Sequence, residues 1–280
     1  MLSIRSVSVF LFILFASYFS SSTFSDEMQN ELRFGSVAMD IPAAMHRRLT
    51  PLTNYLEKAL SMPVSLKLSP NMKAAIKEVA DGRVELAYLT PVAYLKSHAA
   101  GQTRLVAKTV TNGKASFRLM IVVRKDSSIN KPEDLFGKSF AFGDKAALLQ
   151  RAAVVGAGVP LGRLGEYAFL GHYDNIVRGV LNGDFDAGIA KDTTALKWKG
   201  KGIRVLYSTP DLPPYNITAS ANMSDEVLEK LQTAFLSLDV NKREHYDIIK
   251  ALDKRYTGFA PTSDAEYDVI RKLVAPFAKK

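Results

Sequence analysis

The sequence predicts an α/β protein of two similar lobes, each a mostly parallel sheet flanked by helices. Two observations carry this. A helix, a glycine turn and a short apolar strand occur twice: Ile76, Val79 and Ala80, then Asp81-Gly82-Arg83, then Val84–Leu89; and Ile176, Val177, Val180 and Leu181, then Asn182-Gly183, then Phe185–Ala190. Between and around these units, strand-like runs alternate with helical stripes, the rhythm of parallel strands joined by crossover helices. A polar loop at the strand end in each unit points to a cleft between the lobes.

Taken in order, Leu32–Val37 alternates as a first strand, and Leu49, Leu52, Leu56, Ala59 and Leu60 form one helical stripe. Val64–Leu68 alternates strictly, and Ser69-Pro70-Asn71 opens the next helix. After Val84–Leu89, Thr90 is a candidate N-cap with Pro91 at the first helical turn, where its missing N–H costs nothing. Leu105–Thr109 is a strand and Phe117–Arg124 a long β-like run. Pro132–Leu135 is a short helix, Ser139–Phe142 a strand, Ala146–Gly156 a helix and Ala168–Leu170 a strand. Beyond the second echo unit come a small helix at Thr194–Trp198 and a strand at Ile203–Tyr207. Asp211–Tyr215 is extended and bridging, and the remainder reads as mostly helical. Ser224-Asp225-Glu226 starts a helix running to Leu238, and Ser263-Asp264-Ala265-Glu266 is a capping box for the last one.

At the N-terminus, Arg5 precedes the apolar run Val7–Ala16 and a stretch rich in serine and threonine that ends near Asp26. This is the pattern of a secretory leader, residues 1–25. The apolar run is shorter than the ~20 residues a spanning helix needs, so cleavage and a soluble periplasmic protein are expected. The chain has no cysteine, which excludes disulfides and a lipidated lipoprotein terminus. Its net charge of +9 favours anionic partners. The basic residues are scattered and form no nucleic-acid motif, so no nucleic acid is expected.

Candidate site residues follow from the loops. The turn at Thr90 offers backbone donors to an anion, and Tyr94, one turn into that helix, is either cleft-facing or a packed core aromatic. His172-Tyr173-Asp174 opens a helix; an adjacent histidine and aspartate could share a proton, but no nucleophile stands near them, which leaves ligand hydrogen bonding or simple capping. Asp186 is either a ligand contact or an acid paired within the fold. Tyr215 and Phe117 are candidate aromatic walls. The four histidines show no metal-ligand spacing, and the glycines form no nucleotide-binding loop, so no metal, cofactor or catalysis is expected.

The phrases Pro51–Glu57, Gly82–Tyr88, Pro91–Tyr94, Ile121–Ser127, Asp134–Phe142, Gly171-His172 and Gly183–Gly188 together resemble the PhnD-like substrate-binding proteins of phosphonate/phosphate ABC transporters. The resemblance implies the two-lobed type II periplasmic binding protein fold, with crossings near 119–123 and 208–215. Lobe one would be residues 32–120 and 212–280, and lobe two 121–211. It further implies a monomer that closes on a small ligand and partners a membrane ABC permease, or alternatively a sensor kinase, and it implies His172 as a cleft residue. The chain departs from the family at one turn. Where the family has Ser-Thr-Ser-Gly holding phosphonate oxygens, this chain has Ala147-Leu148-Leu149-Gln150. Three neutral hydrogen bonds of roughly 1 kcal/mol each amount to about a hundredfold or more in affinity. Lys145 and the Ala147 backbone N–H are the expected substitutes, and a changed ligand is the alternative.

Overall fold

Helical spacing puts Met45, Leu49, Leu52 and Leu56 on one buried face of α1 (Pro42–Leu60). This helix connects β1 (Leu32–Val37) to β2 (Val64–Ser69) in a computed structural model that describes residues 31–37 and 42–278. The expected leader lies outside the described residues. The same stripe logic builds α2 (Met72–Ala80), β3 (Leu86–Leu89), α3 (Pro91–Gly101) and β4 (Arg104–Thr111). The chain then crosses into β5 (Leu119–Arg124), β6 (Phe140–Phe142), α4 (Leu148–Gly156), β7 (Tyr167–Phe169), α5 (Tyr173–Asn182), β8 (Ala187–Lys191), α6 (Asp192–Trp198) and β9 (Ile203–Ser208). It returns through β10 (Asn216–Ala219), α7 (Asp225–Leu236), α8 (Arg243–Leu252) and β11 (Tyr256–Ala260), and ends in α9 (Asp268–Val274).

The strands form two sheets, ordered β11-β4-β10-β3-β1-β2 and β7-β6-β8-β5-β9. In the first, β1 to β4 run one way while β10 and β11 run against them; in the second, only β5 is reversed. The reversal has a simple cause. β5 arrives from the end of β4 and β10 from the end of β9, so each enters its new sheet at the edge where the parallel strands finish. The two crossings lie side by side: Phe117 N–H donates to the Leu212 carbonyl at 3.0 Å and Leu212 N–H donates back at 2.8 Å. The exposed Arg118 Nε to Asp211 pair adds a 2.7 Å contact across them.

One core lies under each sheet. Phe34, Leu52, Leu86, Ile217, Leu231 and Phe235 belong to the first, and Ile121, Phe140, Phe142, Val154 and Ile189 to the second. α9 joins the second: Ile270 is buried there and the helix packs on α4. The last helix of the stretch 212–280 thus packs on the second core through α4 while also touching α3 of the first lobe. Leu212 is also buried in the second core.

The C-terminal third, expected to be mostly helical, contributes two strands. β10 is four residues with every side chain buried, too short and too uniformly buried to show a period. β11 carries a register shift beside Gly258. The helix expected from Ser224 to Leu238 ends at Leu236. The capping box at Ser263 does not form: Ser263 makes no side-chain cap bond, and Glu266 is taken by Lys108 and by Thr262. The Asn182-Gly183 stop is as read, with Gly183 in the left-handed region at φ 86°.

α5 sits very close to β8. A Cβ on Gly188 would lie 2.4 Å from Ile176 Cγ2 and 3.2 Å from the Ala141 carbonyl. Gly188→Ala is expected to push the helix off the sheet and to lower the unfolding free energy by about 1–3 kcal/mol in a denaturant titration.

Candidate functional site

Because the crossing strands are reversed, the C-terminal ends of β6, β7 and β8 meet the start of β10 and β11 at one cleft. The residues at those positions are Gly143, Tyr173 and Lys191 from the second lobe, and Tyr215, Arg255 and Tyr256 from the first. Phe117, on the crossing, lies between them.

Lys191 ends β8, paired in the ladder with Leu119. Its Nζ lies 4.9 Å from the centroid of the Phe117 ring, a cation–π contact. Among the described residues no carboxylate lies within ion-pair distance of this ammonium. Burial holds its pKa below the ordinary lysine value, and nearby Arg255 pushes the same way, against Asp192 and Asp253. Arg255 itself is satisfied: its Nε and Nη2 donate to Asp253 at 3.0 and 2.7 Å. Burial raises the Asp253 carboxyl, but Arg255 outweighs this and holds it below its usual range. Asp192 accepts the backbone N–H groups of Arg118 and Thr193.

The cleft wall is aromatic. Tyr215 stacks on Tyr88 with ring centroids 5.1 Å apart and 27° between planes. The Tyr88 and Tyr256 hydroxyls share a 2.6 Å hydrogen bond. Burial pushes Tyr173 and Tyr256 up to about 12, so both phenols stay protonated and able to donate at neutral pH. Tyr215, from the opposite lobe, adds to the rise at Tyr173, while Arg255 acts on Tyr173 from across the cleft in the lowering direction.

The turn after β6 is closed by its own backbone. Ala146 N–H donates to Asp144 Oδ1 at 2.8 Å, Ala147 N–H to the Asp144 carbonyl at 2.9 Å, and Leu148 N–H to the Ala146 carbonyl at 2.9 Å. Ala147 has φ −76° and ψ 77°, an inverse γ-turn. The Ala147 N–H expected to serve a ligand is thus already used. Gln150 Oε1 accepts the Gly143 N–H at 2.7 Å, and its Nε2 lies 3.5 Å from the Tyr173 hydroxyl.

The other expected site residues divide. Tyr173 and Tyr215 come together at the cleft. Thr90 caps α3, its Oγ1 accepting the Ala93 N–H at 3.2 Å. Tyr94 is not at the cleft surface: it is 1% exposed, packs 4.6 Å from the Tyr267 ring and donates to Asp264 at 2.6 Å, where Arg271 also binds. Lys145 is exposed in the turn. His172 is the exposed N-cap of α5 without a side-chain cap bond. No His172–Asp174 pair forms among the described residues. Asp174 instead accepts from Trp198 Nε1 at 3.2 Å and Lys197 at 3.4 Å, which ties α5 to α6, and the Trp198 bond first, then Lys197, lowers its pKa. Asp186 stands at the start of β8, the sheet edge away from the cleft, and exchanges bonds with Ser139 at 2.9 to 3.0 Å. Lys191, Arg255 and Gln150 were not expected. The available signal was Lys191 itself, a lysine closing the buried run Ala187–Ala190.

A depression of about 580 Å³ on the outer face of α1 and α8, lined by residues such as Tyr55, Lys58 and His245, holds none of these residues. Among the described residues no three potential metal-ligating side chains cluster, and no helix is long and apolar enough to cross a membrane.

Residues 34–267 match the model of a family described as "ABC transporter, phosphonate, periplasmic substrate-binding protein". The chain belongs to this family. It is 24% identical to the phosphate-import protein PhnD of Mycolicibacterium smegmatis, over 90% of this chain and 87% of the relative. It is also 24% identical to the phosphonates-binding periplasmic protein of Escherichia coli, over 93% of this chain and 82% of the relative. The solved structure of XAC2383 from Xanthomonas citri bound to chloride ion superposes with a TM-score of 0.71 at 19% identity, covering 88% of this chain and 96% of that one. This phosphonate-family binding protein is accordingly a periplasmic solute-binding protein that delivers a small ligand to an ABC transporter.

Within the binding protein, Tyr94 is assigned to the scaffold. Tyr94→Phe is expected to cost about 1 kcal/mol of stability for the lost bond to Asp264, seen as a lower denaturation midpoint, while ligand affinity measured by calorimetry stays unchanged.

Proposed function

We propose that this binding protein captures a phosphate- or phosphonate-type oxyanion in the cleft and that Lys191, with the Tyr173 and Tyr215 hydroxyls, takes over from the family's hydroxyl turn. The observation that carries this reading is the Lys191 ammonium, half-buried at the end of β8 on the Phe117 ring, with no carboxylate partner among the described residues. A charge held out of water in this way calls for an opposite charge, because desolvation without pairing is costly. The ligands named for the relatives, phosphate and phosphonates, have the required charge. Closure would bend the paired crossings and bring Tyr215 and Arg255 onto the anion held by Lys191. The leader 1–25 would be removed on export, giving a monomer without a lipid anchor.

A second reading is supported by the closed turn at Asp144–Gln150. A binding protein in which these turn donors are spent would report ligand to a sensor kinase in addition to serving its permease. Pull-down of the mature protein against the neighbouring permease and kinase domains separates the two readings.

In isothermal calorimetry and thermal-shift assays with methylphosphonate and phosphate, Lys191→Ala is expected to weaken binding tenfold to a hundredfold, the range for a charged hydrogen bond. Lys145→Ala is expected to change it little. The reverse result would return the anion to the turn after β6 and sink the Lys191 reading.

The pH dependence follows from the depressed Lys191 pKa. Anion binding needs the ammonium, and in the free protein its proton leaves below the ordinary lysine value of 10.5. Affinity for methanesulfonate, whose own charge is constant, should therefore be full at low pH and should fall as pH rises, before an exposed lysine would titrate. The reciprocal effect is on stability without ligand. The folded state holds this proton less tightly than the unfolded chain, so the Lys191 contribution grows as pH rises between the two pKa values.

A further inference from the structure

We infer that Gln150 sets the ligand class of the cleft: with its amide seated on the Gly143 N–H, the cleft takes an oxyanion carrying an apolar or planar organic substituent in preference to bare phosphate. This rests on Lys191 as the partner of the anion.

The first part of the argument is the seat itself. Gly143 follows the C-terminal end of β6 at the cleft, and its N–H donates to Gln150 Oε1 at 2.7 Å. Gln150 is 5% exposed, so this bond is sheltered from water. A Cβ at Gly143 would lie 2.7 Å from Gln150 Nε2 and 3.0 Å from the Gly171 carbonyl. Only glycine leaves room for the amide, and the two residues make one built unit. The donors that follow, on Ala146, Ala147 and Leu148, are spent inside the turn. A tetrahedral oxyanion without substituents is recognised by short donors around all its oxygens. On this side of the cleft the N–H groups of Gly143, Ala146, Ala147 and Leu148 are already occupied, which shifts the holding of an anion toward Lys191 and the phenols.

The second part is the wall. Tyr215 is held face to face with Tyr88, whose hydroxyl is fixed by Tyr256. Phe117 is held under Lys191. These rings are positioned before a ligand arrives, and they offer apolar surface beside the Lys191 ammonium. Small-ligand sites combine such surface with a few placed polar groups. An anion with an organic substituent satisfies both; bare phosphate satisfies only the cation and leaves the rings wet.

The experiment is calorimetry with inorganic phosphate, methylphosphonate and benzylphosphonate on the wild-type mature protein and on Gln150→Ala, Tyr215→Ala and Lys191→Ala, each checked for folding by circular dichroism. Wild type is expected to bind benzylphosphonate at least tenfold tighter than phosphate. Gln150→Ala should narrow that ratio by freeing the Gly143 N–H for phosphate, and Tyr215→Ala should narrow it by weakening benzylphosphonate. If Gln150→Ala does not fold, Gln150→Glu keeps an acceptor on Gly143 and places negative charge at the seat; it should weaken all three probes at least tenfold. Phosphate binding as tightly as benzylphosphonate, an unchanged ratio in Gln150→Ala, or full affinity in Gln150→Glu overturns the role of Gln150. In each of those cases loss of binding in Lys191→Ala leaves the Lys191 reading standing. Retention of all binding in Lys191→Ala overturns that reading instead, and absence of binding by all three probes overturns both.

Discussion

The antiparallel pairing of the two crossings, Phe117 against Leu212, is the constraint on which the rest of the molecule depends. It fixes the edge at which each crossing strand enters its sheet. β5 and β10 must then run against the parallel strands they join, and the ends of β6, β7 and β8 are turned toward the starts of β10 and β11. The cleft is a consequence of strand direction before it is a consequence of any side chain. The same two-stranded ribbon connects the lobes with Arg118 and Asp211 exposed on it, which makes it a natural place for bending.

Electrostatics then distinguishes one residue from its neighbours. Arg255, Asp253, Asp192 and Asp174 each have a partner, whether a side chain or a backbone N–H group. Lys191 is held between a ring and the cleft and has none among the described residues. Burial disfavours its charge, so the free protein carries an unfavourable term, the one that the proposed anion would relieve. The turn after β6 shows the opposite economy. Its Gly143, Ala146, Ala147 and Leu148 N–H groups are taken up by Gln150, Asp144 and Ala146. In the reading proposed above, the departure at Ala147–Gln150 and the lysine without a carboxylate partner belong to one change in where an anion is held.

Particular residues show why the site was less legible than the fold. Tyr94 sits one turn into a helix that starts at the cleft, and its number alone cannot say that it faces inward onto Tyr267 and Asp264. Asp186 stands before a strand that ends at the cleft, and of its two readings the bonds to Ser139 match the acid paired within the fold; direction, unlike periodicity, is set by the partner strand. Arg255 lay in a stretch read as helical, since β11 is short and irregular at Gly258. Tyr173 is legible as a loop residue because it stands in the polar cluster His172-Tyr173-Asp174 at a helix start after a strand.

By itself the sequence determined the α/β class, the two echoing helix–turn–strand units, the Gly183 stop, most element positions through β9, and the departure at Ala147–Gln150. These are local properties, written in spacing and turn chemistry. Only the tertiary structure decided the two late strands, the packing of α9 on α4, the closure of the turn by Gln150 and the meeting of Lys191 with Phe117 and Arg255. Each of those depends on which strand runs against which and on which donors find partners far away in the chain, and no local pattern encodes that.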